Sequence, residues 1–259
     1  MLRVLAVGDV CGSAGVEYLK KNLRLTAEAN EVDLIVVNGD NAADIHGISV
    51  ADVSRLFKAG ADVITTGNHA FGRRDVYPLY EDEPRLLRPD NFPPSAPGCG
   101  SVIVSAGGVR VLCMNLQGNV SMNEALASPF SSVDAILGRE AGRYDVALLD
   151  FHAEATSEKM AMGRFLDGRV QVVFGTHTHV ATADEAILPG GTGYITDIGM
   201  TGPVGGVIGT DTRAVLYRMT TRMPTRFSVA EGAVEGHGAL FTLADTAPYS
   251  CLRVERVVF

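Results

Sequence analysis

Aspartate, asparagine and histidine recur in this chain directly after short apolar runs, where a β-strand would hand the chain to a loop. Leu2–Val7 runs into Gly8-Asp9, residues 34–37 into Asn38-Gly39-Asp40-Asn41, and Val63–Thr65 toward Gly67-Asn68-His69. Residues 146–149 lead to Asp150-Phe151-His152, and residues 170–174 to Gly175-Thr176-His177-Thr178-His179. Four of the six histidines stand at these ends, which a random scatter of polar residues would seldom produce. A mixture of carboxylate, imidazole and amide donors suits divalent cations, and a carboxylate such as Asp40 can bridge two of them. Bridged ions about 3.5–4 Å apart acidify a shared water and neutralise phosphate oxygens in an in-line displacement, so the chemistry expected is phosphoester hydrolysis. Nitrogen and oxygen donors without thiolate favour Mn or Fe and admit Zn or Mg. Glycines shortly before Asp9, Asp40, Asn68 and His177 let the backbone turn sharply beside the ions.

Such residues need a frame that brings five strand ends together. The apolar runs are short and mostly rich in β-branched residues, as buried strands are. Between them lie helical patterns over 16–28, 132–141 and Thr156–Leu166, and Ser49 opens an S-x-x-D capping signal ahead of Val53, Leu56 and Phe57. Strand–helix alternation predicts βαβ units with right-handed crossovers, so that successive strand C-termini open onto one edge, where ligands bind. The last third is punctuated by glycines; 227–230, 239–243 and 252–259 read as antiparallel strands, with one helix near 211–220. No repeat, low-complexity tract or long linker marks a boundary, and one domain of 259 residues with two packed sheets is the expectation.

Composition excludes several other classes. Apolar residues make up 46% and charged ones 20%, which suits a folded globular chain. The net charge of −8 argues against a broad basic surface tracking RNA or DNA, while leaving room for a local cationic pocket. No apolar run approaches the roughly 18 residues of a membrane span, and the first apolar stretch is too short for a signal peptide, so a cytoplasmic protein is expected. Cys11, Cys99, Cys113 and Cys251 lack both metal-motif and disulfide-scaffold spacing.

The order G-D, N-G-D-N, G-N-H, D-F-H, G-T-H-T-H resembles the calcineurin-like metallophosphoesterases from Gly8 to His179. N-G-D-N-A-A, R-P-D-N-F-P, D-F-H-A-E-A-T-S-E-K and T-D-I-G-M-T-G-P narrow the resemblance to the YmdB-like branch and extend it to Pro203. That resemblance implies an α/β fold, a four-layer αββα sandwich with two mixed β-sheets. It also implies two transition-metal ions and hydrolysis of phosphodiesters such as 2′,3′-cyclic AMP. Carried over by position, Asp9, Asp40, Asn41 and His179 hold one ion, and Asp40, Asn68, His152 and His177 the other. His69 then faces the phosphate as general acid or transition-state donor. Two departures stand out: the superfamily's histidine two residues after the first aspartate is Cys11 here, with Asn41 taking over its role, and Asp40 replaces the branch's usual glutamate.

Blander readings compete at each position. Asn41 and Asn68 alone would be turn residues. Glu154 and Asp197 are either orienting partners of ligand imidazoles or ordinary loop carboxylates. Asp150 reads as buried outside the site, His46 as an exposed loop histidine with substrate contact as the alternative, and His237 as structural. Arg73 and Arg74 either attract phosphate or begin a solvated helix, and Cys11 is a packing residue or a thiolate ligand. At the level of function, a metal-stabilised regulatory or RNA-binding protein and a phosphomonoesterase are the rivals. Self-association through the C-terminal strands is a further expectation.

Overall fold

A computed structural model of the protein describes residues 1–44 and 46–259. In chain order the elements begin with strands β1 (Leu2–Val7) and β2 (Asp9–Val10), helix α1 (Gly12–Ala29), β3 (Leu34–Asn38), α2 (Val50–Ala59), β4 (Val63–Thr65), α3 (Tyr77–Asp82) and β5 (Leu86–Leu87). They continue with β6 (Ser101–Ala106), β7 (Val109–Gln117), α4 (Pro129–Arg139), β8 (Val146–His152), α5 (Thr156–Leu166) and β9 (Val172–Thr176). The last are β10 (Ala186–Ile187), β11 (Gly193–Ile195), β12 (Met200–Pro203), α6 (Thr212–Thr221), β13 (Val234–Glu235), β14 (His237–Leu243) and β15 (Cys251–Val258).

Two six-stranded sheets form, in the orders β15-β14-β1-β3-β4-β5 and β10-β11-β9-β8-β7-β6. β1, β3, β4 and β5 run parallel in the first, and β7, β8, β9 and β11 in the second. Strand alternation sorts their side chains into layers. Leu5 and Val7 of β1 pack with Val16, Leu19 and Leu23 of α1, whereas Val4 and Ala6 turn inward to Val111, Leu148 and Phe174 of the second sheet. Leu112, Leu149 and Val173 face outward onto Val133 of α4 and Met162 of α5. Both faces of each central strand are covered, which is why those strands read as unbroken apolar runs. The result is the αββα sandwich that the resemblance implied.

Several local expectations need correction. A small third sheet, β13-β12-β2, joins Asp9 and Val10 to Met200 and Thr201. Residues 227–230 contribute no strand, only a single bridge from Val229 to Thr210. β9 starts at Val172 rather than at residue 170, and β8 runs on through Asp150 to His152. The β6–β7 hairpin has no counterpart in the sequence reading, although Gly107 and Gly108, both at positive φ, make its turn. Among the described residues no helix is long and apolar enough to cross a membrane.

Candidate metal centre

Parallel strands bring their C-terminal ends to one edge of each sheet, and the two edges meet. From the first sheet come Asp40 after β3 and Asn68 after β4; from the second come His152 at the end of β8 and His177 and His179 after β9. Asp9 arrives from the small third sheet. His152 Nε2 stands 3.0 Å from Asn68 Oδ1, 3.1 Å from His177 Nδ1 and 3.5 Å from Asp40 Oδ2. Asp9 Oδ1 lies 3.8 Å from His152 Nδ1 and 3.9 Å from His179 Nε2. Gly67 makes this approach possible, because a Cβ there would fall 2.1 Å from the His152 ring.

Surrounding hydrogen bonds decide which ring nitrogens carry protons. Thr176 Oγ1 donates its one hydrogen to Asp150 Oδ1 at 2.7 Å, so at 2.9 Å it accepts from His152 Nδ1. His152 Nε2 is therefore bare. His179 Nδ1 donates to the carbonyl of Ile208 at 3.0 Å, which leaves His179 Nε2 bare, while His177 Nε2 lies 3.2 Å from Glu154 Oε2 and its Nδ1 meets His152 Nε2 at 3.1 Å. Asn68 Nδ2 sits 3.1 Å from the His69 ring, which turns Oδ1 toward His152. Two lone-pair atoms, His152 Nε2 and Asn68 Oδ1, thus face each other at 3.0 Å with His177 Nδ1 beside them, a contact that repels unless a cation shares it.

Electrostatics agree with that demand. Burial raises Asp9 and Asp40 to about 7; the backbone N–H groups of Gly67 and His69 act against the shift at Asp40. Asp9 Oδ2 accepts the His177 amide, while its Oδ1 is buried without a hydrogen-bond partner. Burial lowers His177 to about 4 and holds His152 well below its usual value, keeping both rings neutral as ligands must be. Contacts of 3.0–3.5 Å match the ligand–ligand edges expected around an ion bound at about 2.0–2.2 Å. Among the described residues no group of three His, Cys, Asp or Glu side chains alone forms a ready cation cage. The fit rests on the mixed set that includes Asn68.

The remaining candidates divide. Asn41 lines the pocket beside the centre and its backbone bridges to Cys11. Burial pushes the Cys11 thiol up to about 12, and the thiol packs with its Sγ 3.9 Å from the carbonyl of Gly209. Asp150 is fully buried outside the centre, accepting from Thr65, Asn38 and Thr176. Glu154 touches a ligand-type imidazole; Asp197 instead accepts from Thr178 and from Lys159 Nζ, the latter at 2.6 Å, and so braces the loop between His177 and His179. Both of those histidines have positive φ, a conformation that needs such bracing. His69 lines the pocket, and His46, an exposed loop residue as expected, lines it too, its Nδ1 3.2 Å from His69 Nε2. Arg73 pairs only loosely with Asp75, and His237 Nε2 lies 3.2 Å from Glu235. Sequence reasoning missed Thr176, which orients His152, and Asn38, which donates to Thr176 Oγ1 and Asp150 Oδ2, although both lie inside the motifs that were singled out.

Two facing sheets between helical layers, with nitrogen and oxygen donors gathered where parallel strands end, define the calcineurin-like metallophosphoesterase architecture. The chain belongs to the YmdB-like protein family, which it matches over residues 5–257. It is 40% identical over 257 residues to the 2′,3′-cyclic-nucleotide 2′-phosphodiesterase of Bacillus subtilis strain 168, covering 99% of this chain and 97% of that relative. A novel phosphatase from Mycoplasma pneumoniae superposes with a TM-score of 0.93 at 31% identity, over 100% of this chain and 93% of that one. A hypothetical protein from Thermus thermophilus does so with a TM-score of 0.91 at 36% identity, over 100% and 99% of the two chains.

Proposed function

We propose that this protein is a two-metal phosphodiesterase acting on cyclic nucleotides of the 2′,3′ kind. The observation that carries the metal is the meeting of bare His152 Nε2 with Asn68 Oδ1 and the His177 ring beside two desolvated carboxylates. In this reading Asp9, Asp40, Asn41 and His179 would hold one ion, and Asp40, Asn68, His152 and His177 the other. When bound, the ions supply a nucleophile at neutral pH and neutralise phosphate-oxygen charge. Thr176 and Glu154 keep His152 and His177 in their ligand tautomers, and Ile208 does so for His179. His69, set between Asn68 and His46, donates a proton or hydrogen bond to the leaving oxygen, where charge grows most in the transition state. The full-length similarity to a cyclic-nucleotide phosphodiesterase supports the diester over the monoester.

The test pairs elemental analysis with a substrate panel. Carefully purified, metal-reconstituted protein should hold about two ions per chain and hydrolyse 2′,3′-cyclic nucleotides faster than nucleoside monophosphates. Zero or one ion would sink the dinuclear centre; faster monoester turnover would favour a phosphomonoesterase.

A further inference from the structure

The pocket over the metal centre does not end at His69. Past His46 and Phe227, which line both spaces, it opens from a cavity of about 350 Å³ into a second of about 690 Å³. Arg73 and Arg226 line this second space, with Ser13, Ser228 and Asp44. Two arginines beside the site stand against a chain charge of −8. Among the described residues Arg226 makes no ion pair, and Arg73 Nε lies 3.6 Å from Asp75, beyond hydrogen-bond length.

Contacts on both sides shape this space. A Cβ on Gly47 would stand 3.2 Å from Arg73 Cγ, so the stem of Arg73 rests on the residue next to His46. On the other side, Asp211 N donates to Ser228 O at 2.9 Å and Ala230 N to Gly209 O at 2.8 Å, which holds Phe227 at the junction. The same 208–211 loop accepts the Nδ1 hydrogen of His179. One loop therefore sets both a metal-centre histidine and the aromatic wall.

We infer that this second cavity is a subsite for a second phosphate, one nucleoside away from the phosphate at the metal centre, with the intervening base against Phe227. The inference rests on the phosphodiesterase reading and narrows its substrate. Guanidinium forks match phosphate oxygens in pairs, an aromatic face stacks on any base, and Asp44 is an acceptor for a ribose hydroxyl. The substrate class is then a ribose phosphorylated on both sides, as in a 5′-phosphorylated nucleotide or the 3′ end of an RNA strand, rather than a bare cyclic mononucleotide.

Calorimetry on the metal-replete protein tests this with three ligands: adenosine 3′-monophosphate, adenosine 3′,5′-bisphosphate, and a diadenylate ending in a 3′-phosphate. The bisphosphate should bind on the order of tenfold tighter than the monophosphate, as charge-assisted hydrogen bonds at a part-exposed site allow. That ratio should fall to about threefold or less in Arg226→Ala and in Arg73→Ala, and should shrink with added salt. A gain for the bisphosphate alone assigns free nucleotides, and a gain for the diadenylate as well assigns RNA ends. Equal binding of all three ligands, or a gain that survives both substitutions, overturns the subsite. Hydrolysis of 2′,3′-cyclic AMP and of its 5′-phosphorylated form, followed separately, keeps the two readings distinct: failure on both removes the phosphodiesterase assignment, while a persistent binding ratio still places a second phosphate in this cavity.

Discussion

A bare imidazole nitrogen is a poor neighbour for another lone pair, yet His152 Nε2 meets Asn68 Oδ1 at 3.0 Å, with His177 Nδ1 3.1 Å away. Their protons are settled by neighbours, and the protons of the carboxylates are settled by burial. In the metal-free protein Asp9 and Asp40 hold protons up to about pH 7, and a cation must displace them; His177, at about 4, has none to lose near neutrality. Mn²⁺ affinity should therefore climb by up to about tenfold per pH unit for each displaced proton between about pH 5 and 7, then level off. Titrations in buffers of different ionisation enthalpy would count the protons released, and affinity that is flat across that window would remove the carboxylate assignment. His69 makes the second case. Its Ala or Asn variant should keep both ions and lose on the order of 10²–10⁴ in kcat, less on a nitrophenyl ester, whose leaving group needs little protonation. Wild-type turnover on a poor leaving group with metals bound would deny His69 its role. At this scale the motifs make Asp40, Asn68, His69 and the H-x-H pair legible, because each closely follows an apolar run. The position of His46 is not legible, since it depends on how the loop after Asn41 folds back over His69.

Strand and helix geometry explains which elements could be read from sequence. Central strands are buried on both faces, so their apolar runs are continuous; Ser49 and Asp52 do form the reciprocal cap that S-x-x-D announces. The sequence ends the apolar run of β8 at Leu149 because Asp150 and His152 look like loop residues, whereas a network of Thr65, Asn38 and Thr176 satisfies them inside the sheet junction. Segment 227–230 has β-type residues but finds only one bridge, leaving Phe227 free to line the pocket. Two element-scale substitutions follow from close approach and from buried charge. Gly67→Ala should push the His152 ring off its position, release at least one ion and cut kcat/KM by on the order of 10², with far-UV circular dichroism unchanged; full metal content in that variant would contradict the packing argument. Lys159→Met strands Asp197, both residues being buried, and should cost about 3–5 kcal/mol in urea unfolding. A loss below about 1 kcal/mol would show that Thr178 and Gly199 alone satisfy the carboxylate.

At the scale of the whole molecule, the centre is where the two sheets are joined by polar contacts rather than by apolar packing. Asn38 and Thr65 of the first sheet reach Asp150 of the second, and Asn68 meets His152 across the same seam. Ions held there would link ligands from both sheets, so their binding energy would add to the stability of the entire sandwich and not only to the order of a loop. Each site filled at a hundredfold excess over its Kd contributes about 2.7 kcal/mol, and for a chain of this length a kcal/mol moves Tm by about 2–4 °C. Two filled sites should therefore raise Tm by on the order of 10 °C over the chelated protein. Calorimetric scans on reconstituted and chelator-treated samples, with metal content measured on each, would show the shift as one transition moving intact. Native-state hydrogen exchange supplies the second readout: amides of β3 and β4 and those of β8 and β9 should gain protection together when Mn²⁺ is added. If the ions are demonstrably removed and Tm stays put, or if protection rises in one sheet only, the centre does not bridge the seam and the dinuclear assignment across both sheets fails.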